Sequence, residues 1–526
     1  MGYDLLFRGA TVVDGTGAQP FVADVGVTGG LIAAVGAVAA DTDAGRVVDA
    51  DGFVLAPGFI DIHTHSDVSL FGATAGESKV RQGVTTEVVG NCGFSAYPVD
   101  PDRLPLHVEH LEGIQQRPVA PTWTDLAGYG RALEDAGPAL NVASLVGHGC
   151  LRIAAVGLER EVTADGLARM SELLERCMEQ GAFGLSTGLT YVPSMYGPTD
   201  EVVELSRIVA AYDGFYATHA RASDVLLAPV EEAVEIGRRS GARVQYSHVA
   251  INDPREWGRA DAVLGVFHRA AESGIDIAFD VYPYAASSSA LTQYLPEWVL
   301  AGGIGEMVAR LRDRETRRSA VEDLAAGWYG GIPWLWDRVV VCQAPDAALV
   351  GLSLEELARA ADVPPAERTL RLCEEHGNEV KVVLFYRTEE DMLQFLADPL
   401  GVVGSDGNAI RIDQQGDRPH PRHFGTFPRI LSRYVRESPV LGLAEAVRKM
   451  TLAPAERMRI TDRGRIAEGL AADLVLFDEE RVIDTATFTD PCQAPKGIEF
   501  VAVNGELVID SGSQTAARPG KHLRRG

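Results

Sequence analysis

Apolar residues recur along this chain in two rhythms. In residues 1–58, short apolar runs at 4–7, 11–13, 22–27, 31–35, 47–49 and 53–56 are punctuated by Gly or Asp, which predicts a small β-meander. The far end repeats the pattern with runs at 473–477, 500–503 and 506–509. The last two are joined by Asn504-Gly505, a pair suited to a two-residue hairpin turn. Two β-rich ends around a long middle predict one composite β domain built from both termini.

The middle is different. Fully apolar runs at 59–65, 85–91, 143–148, 182–188, 215–220, 244–249, 275–283 and 402–406 alternate with amphipathic stretches such as 164–180 and 200–212. Strands buried on both faces and separated by helices are what a parallel (β/α)₈ barrel requires. Residues 284–401 are too many for a structureless loop. We read 285–400 as an α-rich insertion on a βα loop, hence near the active face, opened by a linker at 285–289. The predicted fold is α/β: a TIM-like barrel (59–284 and 401–462), the insertion, and a small β-sandwich from 1–58 and 463–526. The small, polar, basic residues 510–526 read as a surface arm.

Composition narrows the partners. The chain has 48 Lys plus Arg against 74 Asp plus Glu, a net charge of −26, which argues against a nucleic-acid partner. Asp4 and Arg8 interrupt any signal-peptide core, and no run is long and apolar enough to predict a membrane span. The six Cys are scattered without short-spaced pairs, so a reducing cytoplasm is the expected compartment. Self-association is left open.

The chemistry sits at the predicted strand ends. The first run ends in His63-Thr64-His65, whose two imidazoles point the same way on a strand. The second leads into Cys92, the fifth ends at His219, the sixth at His248 and the eighth at Asp406. In a barrel these ends surround one cavity. Any one of these residues alone is ordinary: a core histidine, a buried Cys acting as a small hydrophobe, an Asp capping a helix. Together they form a donor set suited to zinc. His107, His110, His268, His376 and His522 fall in helical or loop surroundings and read as surface residues. His148 ends the third run as a support for the site or a turn residue.

These residues carry a resemblance. Gly58–His65 with Asn91-Cys92-Gly93, Thr218–Arg221, Asp280–Tyr284, Gly404–Gly407, Pro419–Arg429 and Gly469–Val475 resemble the amidohydrolase superfamily, specifically its N-acyl-D-amino-acid deacylase (D-aminoacylase) branch. The resemblance runs nearly end to end. It implies a zinc hydrolase of a small-molecule amide. Cys92, His219 and His248 match its tight zinc site. His63, His65 and Asp406 match a second site, weak or empty, and Asp406 inherits the role of general base and acid. A zinc ion acidifies bound water and polarises an amide carbonyl, so a neighbouring carboxylate can move the proton. The fourth run has no Lys to bridge two metals, which favours one dominant zinc with Cys92 nearest to a bridging position.

For a substrate carboxylate, the resemblance offers Tyr282 or Tyr284 and Arg422, while position near strand ends adds Arg221 and Arg152. Tyr191, after the fourth run, is a candidate pocket wall. One departure stands out: the family's usual Lys two residues after the strand-six His is Ala250 here. That leaves peptide-like or cyclic amides as alternatives. Rival readings are a cyclic amidase of hydantoinase or dihydroorotase type and a barrel that has lost catalysis. A nucleotide enzyme has no support, because no Gly-rich phosphate loop opens a helix.

Overall fold

In the computed structural model, which describes residues 2–72, 75–114, 120–329, 331–413 and 416–526, the central apolar runs form eight short parallel strands. They are β1 (Phe59–Asp61), β2 (Val84–Val89), β3 (Asn141–Ser144), β4 (Gly184–Gly188), β5 (Phe215–His219), β6 (Arg243–Tyr246), β7 (Ile277–Val281) and β8 (Gly401–Val403). Every residue of β2, β4 and β7 is buried. That is why these strands do not alternate polar and apolar positions. Pairing runs from β1 through β3, continues through Val146–Gly147 into β4, and passes on to β8. The ring closes where Thr64 bridges Gly407, with Asp406 N donating to His63 O at 2.8 Å. A buried ion pair supports this seam: Lys79 Nζ lies 2.9 Å from Asp61 Oδ2 and 2.7 Å from Ser405 Oγ.

The outer helices follow the predicted period. Ala164–Glu179 buries Met170, Leu174, Cys177 and Met178, one stripe at helical spacing, and Thr163 caps it by accepting from Gly166 N at 3.1 Å.

Nine strands from the two ends join in one sheet, with Val54–Pro57 pairing antiparallel to Leu474–Phe477. Leu474 and Leu476 enter the core of this sheet, while Val475 and Phe477 join the barrel core. The two-residue period of a strand thus welds the two units together.

Three features differ from expectation. The inserted segment is not only helical: Ser287–Ala290, Lys381–Leu384 and Val339–Gln343 form an antiparallel sheet over its own core, and Glu389–Ala397 packs on the barrel instead. Residues 287–289 are therefore strand, not linker. The C-terminal tail is no free arm. Val142 N donates to Lys521 O and Leu523 N to Val142 O, alongside β3, and His522 is buried. Backbone bonds and the buried His522 hold it, which leave no apolar periodicity to read. His107 is buried too, on the inner face of helix Leu104–Glu112. Among the described residues no helix is long and apolar enough to cross a membrane.

Candidate metal centre and active site

The strand ends converge as the barrel requires. Cys92 Sγ lies 3.3 Å from His63 Nε2 and 3.5 Å from His248 Nε2. A tetrahedral zinc with ordinary bond lengths places sulfur and nitrogen ligands about 3.5 Å apart, so these three atoms are spaced for one ion. A second group is formed by His63, His65 and Asp406, with Asp406 Oδ1 2.9 Å from His65 Nε2 and 3.5 Å from His63 Nε2. His63 belongs to both. Cys92, His248 and Asp406 all have left-handed backbones, with φ of 54°, 40° and 52°. Such strain costs about 1–3 kcal/mol per residue and persists where function requires it.

His219 is placed differently from its expected role. Its ring stands edge-on to His248, with centroids 4.5 Å apart, but it belongs to neither group. Both its nitrogens face hydroxyls: Nε2 is 3.1 Å from Thr190 Oγ1 and Nδ1 2.9 Å from Tyr191 Oη. Tyr191 is therefore a partner of His219 as well as a cavity wall.

Asp280, at the end of β7, was not singled out from the sequence. Its Oδ1 is 2.9 Å from His63 Nδ1 and accepts from His248 N at 2.8 Å, while Oδ2 accepts from Gln245 Nε2 at 3.1 Å. One carboxylate thus orients two candidate ligands. The signal available was an Asp ending an apolar strand.

The electrostatics suit a metal. Burial lowers His65 to about 4 and His248 to about 3, so both are neutral imidazoles with a free lone pair. Burial pushes the Cys92 thiol up to about 11, against the pull of His63. Burial also opposes charge on His63, but the Asp280 carboxylate outweighs it, with Asp406 adding, and raises His63 well above its ordinary value. The metal-free pocket at neutral pH thus carries a thiol and an imidazolium, and both must lose a proton to become ligands. Zinc uptake by metal-free protein is therefore expected to release about two protons per ion near pH 7 and to tighten as pH rises. Calorimetry in buffers of different ionisation enthalpy measures this number. Release of none would mean that Cys92 and His63 do not bind the ion.

Asp406 faces the cluster from β8. Burial opposes its charge, but Arg422 and then His63 hold its pKa well below the usual carboxylate range. Arg422 donates to Asp406 Oδ2 at 2.7 Å. Cluster and carboxylate open into a cavity of about 210 Å³ walled by the barrel loops and the insertion. Tyr282 lines it with a buried hydroxyl that faces the Arg422 guanidinium.

The remaining candidates are not free to bind substrate. Arg152 is fully buried on helix His148–Val156, where Glu201 and the Glu159 carbonyl take its donors. His148 meets the same Glu201 at 2.9 Å, which makes it a core histidine. Arg221 reaches the cavity, yet its donors go to Glu232, Met195 O and Gly197 O. Tyr284 points away, its ring between Arg429 and His420. In each case a partner distant in sequence claims the group.

Nitrogen, sulfur and oxygen donors gathered at one end of a parallel barrel, beside a carboxylate held ionised by an arginine, define a metal-dependent hydrolase. The family can be stated more narrowly. The amidohydrolase family model matches residues 46–509, and the chain belongs to that family, in its N-acyl-D-amino-acid deacylase branch. The chain is 36% identical to N-acyl-D-glutamate deacylase from Alcaligenes xylosoxydans xylosoxydans, covering 99% of this chain and 96% of that one. The crystal structure of N-acyl-D-glutamate deacylase from Bordetella bronchiseptica, complexed with zinc and a phosphonate mimic of the tetrahedral intermediate, superposes with a TM-score of 0.84 at 33% identity over 100% of both chains. A D-aminoacylase structure describing a binuclear metal centre, with one-metal activation and second-metal attenuation, gives 0.82 at 34% identity over 99% of this chain and 100% of that one.

Proposed function

We propose that this protein hydrolyses the amide bond of an N-acyl-D-amino acid, releasing a carboxylic acid and a free D-amino acid. The observation that carries this reading is the convergence of Cys92, His63 and His248 with the Asp406–Arg422 pair at one cavity. The preference for D-residues rests on the relatives. One zinc ion, held by Cys92 with His63 and His248, supplies an acidified water and a polarised carbonyl when bound. His219 joins that set if its ring turns away from Thr190 and Tyr191. His65 and Asp406, with His63, would hold a second, weaker ion.

The chain's own groups divide the remaining work. Arg422 keeps Asp406 ionised and fixes its Oδ2, leaving Oδ1 toward the cluster. Asp406 Oδ1 takes the proton of the attacking water as the carbonyl carbon becomes tetrahedral. It then returns that proton to the amide nitrogen, which leaves as the amine. We read the cytoplasm as the compartment because the six cysteines are unpaired, a state that a reducing environment preserves.

Amine release from N-acetyl-D- and N-acetyl-L-amino acids, before and after zinc removal, tests the proposal. Turnover is expected for D-compounds only, lost with the zinc and regained with it. Silence across the panel with zinc still bound would move the substrate to peptides or cyclic amides.

A further inference from the structure

Ala250 leaves the β6 loop without a cation where it borders the cavity. The arginines and lysine that line the cavity are mostly spent. Arg221 is neutralised by Glu232. Lys381 donates to the Glu112 and Gly113 carbonyls. Arg422 serves Asp406 and the Ser288 carbonyl.

Arg387 differs. It lies where the insertion returns to the barrel, between strand Lys381–Leu384 and helix Glu389–Ala397. Its Nε donates to Asn252 Oδ1 at 3.1 Å, a neutral partner two residues beyond Ala250. Its guanidinium carbon stands 4.8 Å from the centre of the Tyr282 ring, and that of Arg422 stands 5.0 Å from the same ring. Among the described residues no carboxylate pairs with Arg387. A half-buried guanidinium without a counter-charge, beside a buried phenol whose oxygen faces Arg422 and whose O–H is left to donate, is a site prepared for an anion.

We propose that Arg387 binds the substrate's carboxylate, with the Tyr282 hydroxyl as a second donor, and so supplies from the insertion the positive charge that the β6 loop lacks at Ala250. This rests on the N-acyl amino acid reading above. The carboxylate and the scissile nitrogen share one carbon, so anchoring the first fixes the second. Division of labour follows: Arg422 is kept for Asp406, and Arg387 for the substrate. Asn252 positions Arg387 through a contact to its Nε, which leaves the terminal nitrogens for a two-point grip.

The test compares N-acetyl-D-methionine with its neutral carboxamide on the zinc-loaded enzyme. Arg387→Met is expected to raise KM for the free acid about 30-fold, the worth of one charge-assisted contact, with kcat changed less than about threefold. The carboxamide KM moves less than about threefold, because that group has no charge to lose. Arg387→Lys recovers part of the loss. The double variant Arg387→Met, Ala250→Lys recovers it from the neighbouring β6 loop, which also shows that the variant folds. An unchanged KM for the free acid in Arg387→Met overturns the assignment while leaving the deacylase reading intact. Equal losses on acid and carboxamide also overturn it, since they mark a structural role. A wild-type enzyme inert on the whole panel of N-acetyl-D-amino acids overturns this proposal and the deacylase reading together.

Discussion

Asp406→Asn is expected to lower kcat by about 10³- to 10⁴-fold while the protein keeps one zinc per chain. Asparagine preserves the shape of the side chain and an oxygen to face Arg422, but it cannot accept the proton of the attacking water. Zinc retention follows from the division of donors, because the Cys92, His63 and His248 group does not include Asp406. The same change removes the carboxylate from the second group, so uptake of a second ion at raised zinc should disappear. It also leaves the buried Arg422 without its counter-charge, at a cost of about 3 kcal/mol in stability. Single-turnover kinetics with metal analysis reads the first two effects, and denaturant melts the third. A variant that keeps a tenth of the rate would remove Asp406 from the proton transfer.

Cys92→Ala is expected to give the other large effect, in the reverse order: zinc is lost first and turnover with it. Cys92 is the one thiol in the donor set, and its sulfur is spaced for an ion shared with both His63 and His248. Removing it leaves two imidazoles and should weaken zinc binding by more than about 100-fold, beyond the cost of losing a supporting hydrogen bond. Alanine adopts the left-handed backbone at this position no less readily than cysteine does, so the loss reports on the thiolate. Competition with a chelator measures it. Full zinc content and full rate in Cys92→Ala would dissolve the metal assignment.

Much of this architecture is legible in the sequence because it is local. A strand covered on both faces is mostly apolar and shows no polar–apolar alternation, so the barrel announces itself as a series of short apolar runs. A metal-binding barrel must place its donors where those runs stop. His63, His65, Cys92, His248 and Asp406 stand at such ends in the sequence, and the folded chain brings them together. The composite β domain was visible for a similar reason: alternation and turn residues survive in each half even though the halves pair across the whole chain. The inserted segment showed its length and helices, but its three short strands are paired by partners far apart, and the helical periodicity around them hid them.

What a side chain does after it reaches the right level is not local. Arg152, Arg221 and Tyr284 follow predicted strand ends, yet Glu201, Glu232 and the Arg429–His420 pair claim them from distant segments. His219 sits at its strand end, but two hydroxyls decide where its nitrogens face. Lys79 carries no motif, Asp280 only opens a stretch that bears the resemblance, and both matter for what the closed barrel sets beside them. Arg387 comes from the end of a segment that the linear pattern marks only as inserted, and folding brings its charge to the wall where Ala250 has none. The sequence by itself determined the barrel and the inventory of donors at its mouth, because periodicity and strand-end position are written residue by residue. Only the tertiary structure decided which charges are spent and which are free, because that depends on counter-charges and hydroxyls contributed by segments far away along the chain.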